Sequence, residues 1–226
     1  MTASERTPRD IPPAVAVRPL RRVRQIRQFT DVPPTDDQID AITDVARWTG
    51  SSRNSQPWRF IVIRDRDVLS RIHPAGMPQT RSLETARVAI AIVLPGEGDG
   101  ARLAAPAAGS APVSAAGSAP AAAPAPAAAP GDEDAVSYAF DEGRAAERML
   151  IAASFLGLGA AIAWLLPNVQ PMVGELLGLP RGRFVRTLVV VGNPTEAARA
   201  PKSAPGEARL PREEVVFAGH WERKSK

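Results

Sequence analysis

The alternation of apolar and polar positions marks out most of the regular structure. At Thr35-Asp-Asp-Gln38 a hydroxyl and an amide three residues apart can each satisfy a backbone N–H of a starting helix. Ile39, Ile42, Val45 and Ala46 then recur at helical spacing, so the pattern predicts a helix running to about Trp48 and stopping at Gly50. Unbroken apolar runs at Phe60–Ile63, Val88–Leu94 and Phe184–Gly192 predict buried strands. Shorter helices are predicted over Asp67–Ile72 and Pro171–Leu177, the second stopped by Gly178 and Pro180. A longer helix is predicted from Asp141 to about Leu158, with Ala145, Ala146, Ala152 and Ala153 as a small face for close packing and Gly157 and Gly159 at its end. Ala160–Leu165 follows as a strand.

This order of strands and helices implies an α+β fold, a sheet sandwiched by helices. The eighteen residues Met149–Leu166 carry no charge and meet the minimum length for a membrane span. Their alanines and glycines make them only weakly apolar, and Asp141–Arg148 continues the same helical phase, so a helix followed by a buried strand accounts for them better. Residues 1–17 read as a flexible arm without an apolar targeting core. Residues 101–130 hold sixteen alanines and six prolines with one charge, Arg102. Proline interrupts helix and alanine cannot build a core, so this stretch reads as a disordered insert, bounded at about 99–134, within one domain spanning 18–226.

Composition narrows the chemistry. With no cysteine there is no thiolate nucleophile, thiolate metal site or disulfide, and nothing demands an oxidising compartment. His73 and His220 are the two histidines and lie far apart, which argues against a metal site and a Ser-His-Asp hydrolase. The net charge of +4 comes with a single tyrosine and no aromatic-interleaved basic patch, so a nucleic-acid platform is not indicated.

Candidate chemistry concentrates in Gly50-Ser-Ser-Arg-Asn-Ser-Gln-Pro-Trp-Arg-Phe60, between the first helix and the first strand. Uncharged donors and acceptors suit the edge of a heteroaromatic ring, and Pro57-Trp58 stiffens the exit. The same residues also compose a serine-rich turn with a buried tryptophan, and the local pattern fits both. Five arginines between Arg18 and Arg27 form either a solvated face or a pair of side chains converging on a dianion.

Taken in order, Arg24-Gln-Ile-Arg-Gln-Phe29, Ser51-Ser-Arg-Asn-Ser-Gln-Pro-Trp58, Asp141-Glu-Gly with Leu156-Gly-Leu-Gly159, Val189-Val-Val-Gly-Asn-Pro194 and Arg209-Leu-Pro-Arg-Glu-Glu-Val-Val216 resemble the nitroreductase family of FMN-dependent oxidoreductases. The resemblance implies a mixed or antiparallel sheet flanked by helices, an intertwined homodimer in the cytoplasm, and one FMN in each of two interfacial pockets. It implies that Arg24, Arg27 and Arg209 hold the phosphate or ribityl chain, a task that suits a permanently charged planar fork. Gln25 stands in the same first motif, where the family usually carries serine. Ser51, Asn54 and Gln56 would meet the ring or ribityl group, some from the second subunit, and backbone groups at Trp164 and Leu165 would lie at the flavin edge. The activity implied is a ping-pong cycle in which NAD(P)H reduces the flavin and a nitroaromatic, quinone or enone reoxidises it. Dehalogenation or FMN fragmentation on the same fold, and flavin storage without turnover, are the alternatives.

Overall fold

The computed structural model describes residues 11–73, 78–96, 132–200 and 209–221. Seven α-helices lie among them: α1 (Pro13–Ala16), α2 (Asp36–Arg47), α3 (Arg66–Ile72), α4 (Asp132–Phe155), α5 (Gln170–Leu176), α6 (Glu196–Arg199) and α7 (Arg212–Val215). The strands are β1 (Arg59–Ile63), β2 (Val88–Pro95), β3 (Gly159–Trp164) and β4 (Arg183–Gly192). They form one sheet in the order β1-β2-β4-β3, and every neighbouring pair is antiparallel.

The expected capping box is present in full. Thr35 Oγ1 accepts the Gln38 N–H, and Gln38 Oε1 accepts the Thr35 N–H. Ile39, Ile42 and Ala46 are buried, whereas Val45 is exposed. At 100° per residue Val45 falls roughly 90° round the helix from the centre of that stripe. α4 begins at Asp132, nine residues before the predicted start, since 141 − 132 = 9. The rest of the predicted insert lies outside the described residues, as does most of the predicted arm; α1, within that arm, buries no residue.

The sheet separates two cores. On one face α2 and α4 cover Val88, Ile90, Ile92, Val189 and Val191; on the other Leu69, Ile72, Leu83 and Val173 cover Ala89, Ala91, Leu188 and Val190. The uncharged run Met149–Leu166 divides between the end of α4 and β3, and among the described residues no helix is long and apolar enough to cross a membrane. Register slips once. Ile92 faces Thr187 while Val93 faces Val185, which leaves Arg186 as an extra residue in β4. Side-chain parity reverses there, so Val185 joins Leu188 and Val190 on one face while Phe184 packs with Val189 and Val191 on the other.

A further constraint ties the N-terminal segment to the sheet. Gly159 and Gly192 are direct cross-strand partners. A Cβ on Gly192 would stand 2.7 Å from Phe29 Cγ, and one on Gly159 would stand 2.8 Å from Ile26 Cγ2. The two glycines therefore open a slot filled by Ile26 and by Phe29, the latter almost completely buried, while the backbone bridges Gln25 to Ala160 and Phe29 to Pro194. Gly192→Ala should overpack this slot and lower unfolding stability by about 1–3 kcal/mol in urea titration. Combining it with Phe29→Leu should cost less than the two single changes added together.

Candidate functional site

The predicted residues fall into two groups on opposite edges of the sheet. The first group is fixed by the Phe29 slot, which lays residues 24–27 beside the outer edge of β3. The Ile26 N–H donates to the Ala160 carbonyl at 2.8 Å. Gln25 Oε1 accepts both the Ile162 N–H at 3.3 Å and an Arg27 guanidinium N–H at 2.7 Å. Alternation along β3 turns the Trp164 N–H toward this same outer edge. The Leu165 N–H points inward and donates to the Arg186 carbonyl at 2.8 Å.

Arg24 is engaged differently from Arg27. Its guanidinium donates to the carbonyls of Ala198 and Ala200, each at 2.9 Å, and to that of Arg199. It thereby satisfies the open carbonyl end of α6. A guanidinium carries five N–H groups, and 5 − 3 leaves two for another acceptor.

The second group sits in the loop before β1. α4 holds this loop with successive contacts: Asp141 Oδ2 accepts the Ser52 N–H at 3.0 Å, Arg144 lies against Gly50, and Arg148 donates to the Trp48 carbonyl at 2.9 Å. A Cβ on Gly50 would come within 3.0 Å of Arg144 Nη2, so the glycine makes room for the guanidinium. Arg53, Asn54 and Gln56 all adopt positive φ, at 51°, 54° and 45°. Three non-glycine residues in that region within four positions constitute local strain, which the contacts from α4 must sustain. Ser51 Oγ accepts the Gln56 N–H at 2.9 Å, and Asn54 Oδ1 accepts a Gln56 side-chain N–H at 3.2 Å. The hydroxyls of Thr49 and Ser55 are shielded from solvent and have no partner among the described residues. Trp58 is buried and stacks on Phe60 at 6.4 Å, which anchors the loop's exit as expected.

The 51–56 loop, Trp164 and Leu165 lie at the end of the sheet where β1 and β4 begin and β2 and β3 end, whereas Gln25 pairs with Ala160 near the start of β3. Three inter-strand steps of about 4.8 Å separate β1 from β3, so the two edges stand roughly 14 Å apart across the sheet. A shallow groove between α2 and β1, lined by Asp40, Ala41, Thr43, Asp44, Arg47 and Phe60, contains none of them. Arg209 opens the C-terminal segment 209–221, which is exposed apart from the half-buried Phe217. One chain thus brings Gln25 and Arg27 to the β3 edge and Ser51, Asn54 and Gln56 together elsewhere.

The family model for nitroreductases matches residues 20–193, a span that includes both groups and the whole sheet. This chain belongs to the nitroreductase family. A relative from Archaeoglobus fulgidus, provisionally named an NADH dehydrogenase/NAD(P)H nitroreductase, is 28% identical over 180 residues, covering 76% of this chain and 82% of its own. Among solved structures, the NADPH:FMN oxidoreductase of Vibrio harveyi, complexed with NAD+, superposes with a TM-score of 0.65 at 22% identity, over 92% of this chain and 78% of that one. An FMN-dependent nitroreductase of Clostridium difficile gives 0.64 at 20% identity, over 89% and 98%. At these identities the structural likeness establishes the nitroreductase fold.

Asp141 was visible in the sequence as part of a motif, but its acceptor role toward Ser52 shows only in three dimensions. The strained loop makes a measurable prediction. Gln56→Gly should leave unfolding stability unchanged or raise it by up to about 1 kcal/mol, because glycine adopts positive φ freely. Gln56→Val should lower it by more than about 1 kcal/mol, and urea titration of the three proteins reads both effects.

Proposed function

We propose that this protein is an FMN-dependent oxidoreductase of the cytoplasm that draws electrons from NAD(P)H and passes them to a small electron-poor acceptor, such as a nitroaromatic, quinone or enone. The observation that carries this reading is the arginine-bearing segment 24–27 laid along the open edge of β3 at Ala160 and Ile162, the strand whose N–H groups turn outward again at Trp164. Bound FMN would supply hydride uptake and release, so the protein needs no acid-base pair of its own. The residues fit such a ligand. Arg27 and the remaining donors of Arg24 offer fixed positive charge for a phosphate, with Arg209 joining from the C-terminal segment. Gln25 orients Arg27, and the Trp164 N–H offers a donor to the edge of a ring where negative charge develops on reduction. The Leu165 N–H, held by Arg186, fixes the end of the strand that presents it.

Ser51, Asn54 and Gln56 lie too far across the sheet to join this edge within one chain, and a homodimer resolves the separation. Along α4, Val136 and Phe140 are about 70% exposed, Phe155 is exposed, and Gly143 between them has open space where a side chain would be. Leu210, Val215, Val216 and Trp221 of the C-terminal segment are exposed as well. Apolar surface of this extent suits a second copy whose 51–56 loop meets the first copy's β3 edge.

Purified protein incubated with FMN should retain about one flavin per chain after desalting, and anaerobic NAD(P)H should bleach it within seconds. Protein that stays colourless overturns the flavin reading, and bound flavin that remains yellow with either nicotinamide makes this a storage protein. The quinone and nitroaromatic acceptors are then separated by their rates of restoring the colour. Phe140→Glu should convert the dimer to monomer in light scattering and weaken FMN binding at least tenfold, since it places a charge in an apolar contact.

A further inference from the structure

Asp141 and Glu142 are consecutive carboxylates on α4, exposed by only 2% and 3%. Burial of charge is costly, so two neighbouring instances call for a reason. Successive helical residues point about 100° apart, and these two reach different parts of the fold. Asp141 Oδ2 takes the Ser52 N–H at 3.0 Å, while its Oδ1 faces Arg144 Nη1 at 3.4 Å. Glu142 Oε2 takes both Nε, at 2.9 Å, and Nη2 of Arg186. Arg186 is the extra residue of the β4 bulge, and its carbonyl holds the Leu165 N–H. Glu142 Oε1 is buried and has no partner among the described residues. The site is therefore not arranged for the greatest number of hydrogen bonds; the ion pair supplies direction to a strand that has left regular register.

We propose that Asp141 and Glu142 are positioning residues for the ligand site, Asp141 fixing the 51–56 loop and Glu142 fixing, through Arg186, the β3 end at Trp164 and Leu165. One turn of α4 thus sets the relation between the two halves of the site that each subunit contributes. Neither carboxylate need touch the ligand. The inference rests on the flavin reading for its functional consequence, whereas its geometric content does not depend on flavin.

The test uses the full-length protein with Asp141→Ala and Glu142→Met, each removing an acceptor, and with Asp141→Asn and Glu142→Gln, each retaining one. Amide hydrogen exchange without flavin should quicken at least tenfold at Ser52 in Asp141→Ala and at Leu165 in Glu142→Met, each leaving the other amide unchanged. FMN titration should show Kd raised about tenfold in both, with the conservative variants recovering most of the loss. Glu142→Met alone should also shift the flavin absorption band and reduction potential, because Trp164 faces the ring edge. Unchanged exchange at these amides overturns the proposal, as does an FMN Kd within twofold of wild type in variants whose Tm has fallen. If the wild-type protein binds no FMN, the flavin reading fails, and the proposed role in the ligand site fails with it, while the exchange data still decide whether the carboxylates hold the two segments. Asp141→Ser and Arg186→Lys, which withdraw the contact but keep a polar group, serve where the first variants do not fold.

Discussion

The seating of Phe29 across the Gly159–Gly192 pair is the contact on which the arrangement of the β3 edge depends. Two residues without Cβ face each other on adjacent strands, and the space they leave is taken by the Phe29 ring together with the Ile26 side chain. Because that ring is buried, the backbone from Gln25 to Phe29 has little freedom to move along the sheet. The positions of Gln25 and Arg27 against Ile162 follow from it, as does the reach of Arg24 to the carbonyls after α6. A steric fit deep in one core thereby determines where cationic side chains stand at the surface.

α4 plays the corresponding part on the opposite face of the sheet. Its alanines admit α2 closely, its Asp141, Arg144 and Arg148 run along the loop from Trp48 to Ser52, and its Glu142 reaches the bulged Arg186. A helix twenty-four residues long is rigid on the scale of these contacts, so it transmits a fixed spacing across the width of the sheet. The bulge supplies the complementary adjustment, since without it Arg186 would lie in the opposite parity and could not meet Glu142. Strain in the 51–56 loop is tolerated because its two ends are anchored, by Asp141 at Ser52 and by the buried Trp58.

The sequence by itself determined the local elements and their kind. The Thr35–Gln38 box, the β-branched runs of β2 and β4, and Gly157, whose φ of 74° ends α4, act through near neighbours, and each appears within a few residues of its predicted place. The ordered motifs also sufficed to identify the family and to nominate the arginines and amides of the site. What only the tertiary structure decided is which of those residues meet. Val45 turned outward, Arg24 joined three carbonyls some 175 positions away, and Gln25 was parted from Ser51, Asn54 and Gln56 by the width of the sheet. The bulge at Arg186 and the slot for Phe29 likewise leave no periodic trace in the chain. Local preference is set by a residue and its few neighbours, whereas these relations arise from strand pairing and packing between distant segments, where one shared contact can outweigh the pattern on either side.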